Sequence, residues 1–479
     1  MAGQILKIQY KKKMSEIITT DFLIKALQAE ALQTTPFDFL GVSLDSRKKL
    51  KDKVFFAIKG KNFDGHDFLS QALEKGAKAF VVSDKKKAEA LFKKKEVSIF
   101  LVKDTLKALQ DLAQSWRKAL KIKIIAITGS NGKSTTCSFA HTLLSDFSVF
   151  VSPKSYNNFI GVPLSILNVN KKSSFLVQEI GTNAPGEISF LTQLCQPDIS
   201  LVTMVAPSHL EGLKNLESIA QEKKQIYLKS PKAVWLFNKD NLWTKKMWEE
   251  LAKKDSIYFS SQDEKADVNF HFLKESIGKS VIKGHIGDIE SSAELLFSGQ
   301  ENLSNLMGAC AVALSLGAKP DQIWKKVSQC HVPKGRQEYF FMEKQKVSIL
   351  FDAYNANPAS MNFFLKTCQK ASQSRILILG DMKELGEDSK KYHKELACHP
   401  CVLEARCVFF IGEYSALIEE ELKKNNFKGK FKAYKTYNKT LLTDLKKELK
   451  TGDFLGLKAS RSLALERLAF NLTGKDFLA

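Results

Sequence analysis

One short segment constrains the fold of this 479-residue chain more than any other. Residues 124–136 read IIAITGSNGKSTT, in which an apolar run ends at Gly129 and a second glycine, Gly132, precedes Lys133 and Ser134. This pattern predicts a buried strand, a glycine loop and a helix that begins at Lys133. The backbone NH groups of such a loop and the helix N-terminus point at one place, which suits a phosphate group. The segment therefore predicts a phosphate-binding loop at the edge of an α/β sheet.

The side chains of this loop add specific phosphate chemistry. The Lys133 ammonium can reach the β and γ phosphates of ATP, and the Ser134 hydroxyl can ligate Mg²⁺. The spacing is shorter than in the common GxxxxGK[ST] pattern, although strand, turn, lysine and hydroxyl occur together. We assign to the nucleotide Gly129, Ser130, Asn131, Gly132, Lys133, Ser134 and Thr135.

Alternating strand and helix patterns predict an α/β fold of three domains, because a chain of this length is too long for one hydrophobic core. We expect a small N-terminal α/β domain at 1–104 and a central P-loop ATPase-like domain at 105–333 with a mostly parallel sheet. A second α/β series at 334–479 predicts a Rossmann-like C-terminal domain. Residues 256–297 alternate in short runs and predict an antiparallel appendage.

Two further polar residues follow buried strands. Glu179 lies in the strand-like run Phe175–Gly181, and His209 comes after the run Ile199–Val205. In nucleotide enzymes a carboxylate at a strand end holds the Mg²⁺ that neutralises the phosphates. A lone histidine in such a position is more often a loop or core residue. The residues alone thus make Glu179 a candidate ligand and leave His209 open.

The charge balance raises nucleic acid as a partner, since Lys and Arg outnumber Asp and Glu by 73 to 52 and the formal net charge is +21. The lysines are scattered in short runs, such as Lys11 to Lys13, Lys85 to Lys87 and Lys93 to Lys95. No aromatic-interleaved basic stripe accompanies them. We therefore expect solvated lysines and no nucleic-acid partner, and keep nucleic-acid binding as an alternative.

Targeting signals and cysteines indicate the compartment. No apolar stretch approaches the roughly 18 residues of a membrane span, and the first residues lack the pattern of an export signal. The eight cysteines form no disulfide framework, which favours a reducing compartment. We expect a cytoplasmic protein. Cys398 and Cys401 form a CxxC pair with His399 between them and Cys407 nearby, which leaves half of a zinc site or a redox pair as an alternative.

Further motifs follow one another along the chain, among them DSR at 45–47, GRQE at 335–338, YNANP at 354–358 and LGDMKELG at 379–386. They occur in the order in which the Mur ligase family has them, and the resemblance spans nearly the whole chain. Two of them, YNANP and LGDMKELG, are similar to the members that add D-alanyl-D-alanine, whereas the Asp-Asn-Pro-Arg signature of the diaminopimelate-adding members is absent. The motifs lie at 45–47 (DSR), 64–68 (DGHDF), 155–167, 178–189, 207–227, 335–338 (GRQE), 352–361 and 379–389.

This resemblance implies an ATP-dependent ligase that joins D-alanyl-D-alanine to UDP-N-acetylmuramoyl-tripeptide through an acyl phosphate in peptidoglycan precursor synthesis. ATP, Mg²⁺ and two small-molecule substrates follow from it, and we expect a monomer. Another Mur-type ligase or a folylpolyglutamate-type ligase remains the alternative, as does a nucleotide-binding protein without turnover. Whether the tripeptide ends in diaminopimelate or lysine stays open.

The resemblance also implies residue roles. The catalytic set is Lys133, Glu179, His209, Lys223 and Arg336. The Mg²⁺ ligands are Ser134, Glu179, His209 and Lys223, the last as a carbamate. Beyond the loop, the nucleotide contacts are Asn302, Asn305, Arg336, Asp352 and Asn357. The substrate contacts are Ser46 and Arg47 for the UDP-sugar, Asn157, Asn158, Thr182 and Asn183 for the peptide, and Lys458, Ser460 and Arg461 for the dipeptide.

Four positions depart from the family pattern. Ala184 stands where a histidine is common, Gln225 replaces an acidic residue, Glu301 replaces a histidine, and Ala459 replaces a glycine. None of them removes a phosphate or metal group, so they bear on substrate detail more than on the reaction.

Overall fold

Three β-sheets organise the chain, and the computed structural model describes residues 18–92, 96–170 and 172–477. The export-signal region and the runs Lys11 to Lys13 and Lys93 to Lys95 lie outside these residues. Lys85 to Lys87 are exposed, as expected. Within the described ranges, no helix has both the length and the apolarity to cross a membrane. The predicted α/β class with three domains is confirmed.

The N-terminal domain contains a five-stranded sheet in the order β1-β5-β4-β3-β2, with only β1 antiparallel to its neighbour. Its strands are short, and β3 ends at Phe56. The strands are β1 (Glu30–Gln33), β2 (Val42–Ser43), β3 (Val54–Phe56), β4 (Ala79–Val82) and β5 (Ser98–Leu101). The helices are α1 (Thr20–Leu27), α2 (Leu69–Glu74) and α3 (Glu89–Phe92), with a 3-10 turn at Gly65–Phe68.

The central domain contains a nine-stranded sheet in the order β14-β13-β12-β11-β10-β9-β6-β8-β7. The strands are β6 (Lys123–Thr128), β7 (Val149–Val151), β8 (Phe175–Glu179), β9 (Ile199–Val202), β10 (Val234–Asn238), β11 (Ile257–Phe259), β12 (Val268–Ser276), β13 (Lys279–Ile286) and β14 (Ile289–Leu295). The helices are α4 (Thr105–Ala119), α5 (Lys133–Leu143), α6 (Gly161–Leu167), α7 (Glu187–Cys195), α8 (Leu210–Leu213), α9 (Leu216–Leu228), α10 (Leu242–Leu251), α11 (Gln300–Ser315) and α12 (Pro320–Val327).

The expected antiparallel appendage at 256–297 is wrong in one respect. Strands β12 to β14 are antiparallel to each other, but they extend the main sheet instead of standing apart from it. The reason is that Phe259 of β11 pairs in parallel with Val268 of β12. Helix α11 packs across this extension, and Phe259 and Phe270 belong to the same buried cluster as Leu303.

The C-terminal domain contains a six-stranded sheet in the order β15-β16-β20-β17-β18-β19, parallel except for β15. The strands are β15 (Glu338–Met342), β16 (Val347–Phe351), β17 (Arg375–Gly380), β18 (Cys407–Ile411), β19 (Lys430–Tyr434) and β20 (Phe454–Lys458). The helices are α13 (Pro358–Gln369), α14 (Ser389–Ala397), α15 (Pro400–Leu403), α16 (Ser415–Lys424), α17 (Lys439–Glu448) and α18 (Leu465–Thr473), with 3-10 turns at Gly386–Asp388 and Arg461–Leu463.

The CxxC pair lies where α14 ends and α15 begins. Cys398 is exposed and Cys401 is buried. The His399 ring caps α15, because its Nδ1 accepts a hydrogen bond from the Cys401 NH at 3.1 Å. No group of three His, Cys, Asp or Glu side chains among the described residues is arranged to hold a metal ion. This geometry gives the histidine a helix-capping role.

Arg117 fixes helix α4 to the strands that carry the glycine loop. Its guanidinium donates to the carbonyls of Cys195 and Gln196 at 2.7 and 2.8 Å and to the Asp198 carboxylate at 2.9 Å. The same carboxylate accepts from the Ile124 NH at 2.8 Å, so it also anchors the start of β6. The buried guanidinium thus satisfies the end of α7 and orients the central strand.

Arg117→Ala should lower the free energy of unfolding by about 2 kcal/mol, since it leaves four carbonyls and a carboxylate without their charged donor. Denaturant unfolding followed by tryptophan fluorescence measures this, because Trp116 is fully buried beside it. Arg467→Ala, an exposed arginine on α18, is the control and should change stability by less than about 0.5 kcal/mol. Equal effects of the two variants would contradict the anchoring role.

Candidate active site

The glycine loop follows β6, and α5 begins at Lys133 as predicted. Neither glycine can be replaced without a clash. A Cβ atom on Gly129 would lie 1.8 Å from Thr203 Oγ1, and one on Gly132 would lie 2.1 Å from Asn305 Oδ1. Gly132 also has φ of 84°, in the left-handed region that favours glycine. Close packing against the neighbouring strand and against α11 therefore fixes the path of the loop.

A cavity of about 530 Å³ opens in front of this loop, between the central and C-terminal domains. It lies beyond the carboxyl ends of β6 and β8, the edge at which α/β sheets bind ligands. The predicted site residues that line it are Ser130, Asn131, Gly132, Lys133, Ser134, Thr135, Asn157, Asn158, Glu179, Thr182, Asn183, His209, Lys223, Asn302, Asn305, Arg336, Asp352 and Lys458. Arg461 also lines it.

Glu179 is the acceptor around which the phosphate end of the cavity is arranged. Its two carboxylate oxygens accept from Ser134 Oγ at 2.6 Å and from Asn157 Nδ2 at 2.8 Å. Arg336 Nη2 reaches Ser134 Oγ at 3.2 Å from the C-terminal domain. Lys133 Nζ donates to the Gly129 carbonyl at 2.7 Å. Burial lowers the pKa of Lys133, and the Glu179 charge opposes that shift.

Lys223 is a buried lysine without a partner. It lies on α9 with 1% of its surface exposed, and no hydrogen bond or ion pair of the described residues involves its ammonium. The adjacent Glu222 carboxylate is already used, because it accepts from the Gly186 and Ile188 NH groups at 2.8 Å each. Burial, with a smaller contribution from the Lys133 charge, lowers the pKa of Lys223 to about 7. A large fraction of this side chain is thus a neutral amine near pH 7.

The donor set in the cavity suits Mg²⁺ that binds together with phosphates. Mg²⁺ usually takes one or two carboxylates, waters and substrate phosphate oxygens, so it needs no cluster of acidic side chains. Ser134 and Glu179 offer adjacent oxygens next to the loop. His209 lines the cavity, and its Nδ1 lies 2.6 Å from Glu384 Oε2. The unpartnered amine of Lys223 offers an anionic oxygen ligand if it is carbamylated.

The C-terminal domain closes the cavity with residues from its own strand ends. Lys458 Nζ donates to Asp352 Oδ2 at 2.8 Å and to the Asn355 carbonyl at 3.0 Å. Asn357 and Asn131 exchange side-chain hydrogen bonds of 2.8 and 3.3 Å, which ties the cap of α13 to the glycine loop. Asn357 is buried in this contact and does not line the cavity.

The two asparagines of α11 that are predicted to contact the nucleotide differ in their contacts. Asn302 Nδ2 donates to the Ser298 carbonyl at 2.9 Å, and Asn305 Oδ1 lies against Gly132 and accepts from Thr136 at 3.4 Å. Glu301, beside them, lines the same cavity. Burial and the nearby Asp352 charge raise the pKa of Glu301 to about 7. The prediction assigned no contact to this glutamate, nor to Tyr354, whose ring lies 4.4 Å from the Arg336 guanidinium.

Besides Gly129 and Asn357, three predicted residues do not line this cavity. Ser46 and Arg47 line a second cavity of about 1020 Å³ between the N-terminal domain and α6. Arg47 is exposed there and pairs with Asp45 at 2.8 Å. Ser460 is turned away from both cavities, since its hydroxyl donates to the Asp381 carbonyl at 2.7 Å. Ser155 and Asn158 line both cavities, so the two cavities are neighbours at these residues.

The fold and the site together define a nucleotide-dependent enzyme with its active centre between two α/β domains. Three family models match in chain order: "Mur ligase family, catalytic domain" at 38–117, "Mur ligase middle domain" at 127–313 and "Mur ligase, glutamate ligase domain" at 335–461. The chain belongs to the Mur ligase family, which confirms the resemblance noted from its motifs. The exact domain limits stay predictions.

Relatives extend over almost the whole chain. It is 31% identical to the UDP-N-acetylmuramoyl-tripeptide–D-alanyl-D-alanine ligase of Haemophilus influenzae over 96% of this chain and 99% of the relative. It is 32% identical to the ligase of the same name from Bacillus subtilis, over 90% and 93%. Among solved structures it is similar to MurF from Acinetobacter baumannii (TM-score 0.83, 26% identity, 95% and 99% covered) and to MurF from Thermotoga maritima in complex with ADP (0.75, 28%, 90% and 96%).

Gly132→Ala should weaken nucleotide binding by about 10-fold or more, because the new methyl group forces Asn305 or the loop to move. Titration of the protein with ADP in a calorimeter measures this. Gly317→Ala is the matched control, since Gly317 has a similar φ of 83° but nothing within 4 Å of an added Cβ. It should lose some stability and keep its ADP affinity. Unchanged binding by the Gly132 variant would contradict the assignment of the loop to phosphate.

Proposed function

We propose that this protein is an ATP-dependent ligase that joins D-alanyl-D-alanine to UDP-N-acetylmuramoyl-tripeptide in peptidoglycan precursor synthesis, and that it acts in the cytoplasm. The observation that carries the proposal is one cavity that unites a phosphate loop, a Ser134–Glu179 pair and the unpartnered Lys223 with Arg336 from the other domain. The relatives with this name are similar along almost their full length.

The side chains at the loop suit a triphosphate that is about to lose its γ phosphate. Lys133 and Arg336 supply positive charge on two sides, and the backbone NH groups at the start of α5 supply donors. Asn302, Asn305 and Asp352 are assigned to the nucleotide as well, and Asn305 lies against the loop itself. In phosphoryl transfer such positioning and charge compensation account for most of the catalysis.

Mg²⁺ ions, when bound, would neutralise the phosphate oxygens and polarise the phosphorus for attack. We assign the first ion to Ser134 and Glu179 and the second to His209 and a carbamate on Lys223. Carbamylation replaces the Lys223 amine with an anionic oxygen ligand, and it requires the neutral amine that burial provides.

The UDP-sugar is assigned to the second cavity, with Ser46 and Arg47, and its peptide to the boundary between the two cavities at Asn158. Thr182 and Asn183 line the main cavity. A carboxylate that enters there approaches the γ phosphate held by Lys133. Its oxygen attacks phosphorus, ADP leaves and an acyl phosphate forms.

The amide forms in a second step at the same carbon. The neutral amine of D-alanyl-D-alanine attacks the acyl carbonyl, loses a proton and expels inorganic phosphate. Lys458 and Arg461 line the cavity on the side from which the dipeptide is expected. Ser460 lies between them in the chain, with its hydroxyl bonded to the Asp381 carbonyl. Water must be excluded during this step, because it would hydrolyse the acyl phosphate. The contacts of Arg336 and Asn357 with the loop keep the domains closed.

Phosphate release should require ATP, a UDP-muramyl-tripeptide and D-alanyl-D-alanine together. A panel of tripeptides that end in diaminopimelate or lysine, with dipeptides and single amino acids as acceptors, separates this function from other amide ligations. Lys133→Ala should lose at least about 100-fold in kcat, since it removes a charge that acts on the transferred phosphoryl group. Phosphate release that is independent of the dipeptide would contradict the proposal.

Lys223 should carry a carbamate that increases as pH rises from about 6 to about 8, because only the neutral amine reacts with CO₂ and deprotonation occurs near the lowered pKa. Carbon-13 NMR with labelled bicarbonate measures it directly. Lys224→Ala is the control, since this neighbour is paired with Glu250 at 2.9 Å and should leave the signal intact. A carbamate signal that persists in Lys223→Ala would contradict the assignment.

A further inference from the structure

His209 meets a carboxylate that no part of the proposed reaction uses. Its Nδ1 lies 2.6 Å from Oε2 of Glu384, which belongs to the loop after β17 in the C-terminal domain. No hydrogen bond of the described residues satisfies this buried nitrogen, so the Glu384 carboxylate, at ion-pair distance, is its polar contact. The contact joins the two domains beside the cavity.

Both partners adopt unfavourable backbone conformations to make this contact. His209 has φ of 52° and Glu384 has φ of 64°, in the left-handed region that non-glycine residues rarely enter. The Glu384 side chain is 56% exposed, and an ion pair so exposed contributes little to stability. The backbone strain of two such residues costs more free energy than an exposed ion pair contributes. Strain of this kind is typical of functional sites.

The packing around His209 and Glu384 fixes the position of one relative to the other. The Glu211 NH donates to the Glu384 carbonyl at 3.3 Å. A Cβ on Gly212 would lie 1.9 Å from the Asn183 carbonyl, so the turn after His209 also packs tightly on the segment assigned to the peptide. The His209 turn is therefore clamped between the peptide segment of the central domain and the Glu384 loop of the C-terminal domain.

We propose that Glu384 is a positioning residue that holds the His209 ring through Nδ1 and leaves Nε2 as the nitrogen that ligates a divalent cation. A carboxylate on the second nitrogen of a metal-binding histidine fixes its tautomer and orientation and raises its basicity. Because Glu384 comes from the C-terminal domain, this ligand is complete only when the domains are closed. Closure thereby raises the affinity for the second ion. The inference rests on the proposed function, from which it takes the cation.

The experiment counts bound Mn²⁺ by electron paramagnetic resonance, with a non-hydrolysable ATP analogue and UDP-N-acetylmuramoyl-tripeptide present. The wild type should hold two ions. Glu384→Gln should lower the affinity for the second ion by about 10-fold and leave the affinity for the first unchanged. Loss of a residue that hydrogen-bonds a metal ligand typically costs about 10- to 100-fold in metal affinity. Glu387→Gln removes the same charge from an exposed position on the same loop and should match the wild type.

A double variant tests whether Glu384 acts through His209. His209→Ala should weaken the second ion, and adding Glu384→Gln to it should cause no further loss, since the two act as one unit. In turnover, Glu384→Gln should raise the Mg²⁺ concentration for half-maximal rate and recover near wild-type kcat at high Mg²⁺.

The outcomes separate this inference from the proposed function. Two ions of wild-type affinity in Glu384→Gln would overturn the positioning role while leaving the ligase proposal intact. Additive losses in the double variant would also overturn it. A wild type that ligates the dipeptide but binds a single Mn²⁺ would overturn the inference together with the second-ion assignment. A wild type without dipeptide-dependent ligation would instead refute the proposed function.

Discussion

The side-by-side pairing of β6 and β8 is the constraint on which the site depends. Ile127 pairs with Glu179 across these parallel strands, so the glycine loop and the carboxylate leave the sheet at the same edge. The 2.6 Å hydrogen bond from Ser134 to Glu179 is possible only because of this register. A slip by one residue would turn Glu179 to the other face of the sheet. The strand β7 intervenes in sequence and lies outside β8, at the sheet edge.

A second constraint is that the Glu222 carboxylate is hydrogen-bonded to backbone NH groups and not to Lys223. Its neighbour Glu222 is spent on the NH groups at the N-terminus of α7, where the helix dipole also favours an anion. A buried lysine with a free carboxylate beside it would remain protonated. Because that carboxylate is occupied, burial can favour the neutral amine. The two hydrogen bonds that Glu222 accepts from the start of α7 thus affect the protonation of Lys223, its neighbour on α9.

The sequence was sufficient for the elements with strong local signals. The helix start at Lys133, the strand that ends at Glu179 and the alternation of strands and helices all follow from apolar periodicity and glycine positions. It could not supply β15, β19 or the pairing of β12 with β11, because those short strands are defined by their partners. Helix α13 begins at Pro358, where Asn357 and Ser360 form a capping box.

The site residues also differ in whether the local sequence alone predicts them. Loop residues were predicted because their spacing carries chemistry by itself, whereas His209 and Lys223 required the family resemblance. Glu384 lies in the LGDMKELG motif and Glu301 at a position that departs from the family pattern, but neither glutamate indicates a role from its local sequence alone. Each acquires significance only through a partner far along the chain: His209 for the first, and Asp352 for the second.

Three contacts between the central and C-terminal domains share one feature that bears on how closure is coupled to chemistry. Arg336 meets Ser134, Asn357 meets Asn131, and Glu384 meets His209. In every case the central-domain partner belongs to the nucleotide loop or to a residue assigned to a cation. Closure therefore does more than exclude water, because it acts on the groups that hold the phosphates. A ligand that favours these contacts also favours the closed state, and by linkage the closed state binds that ligand more tightly.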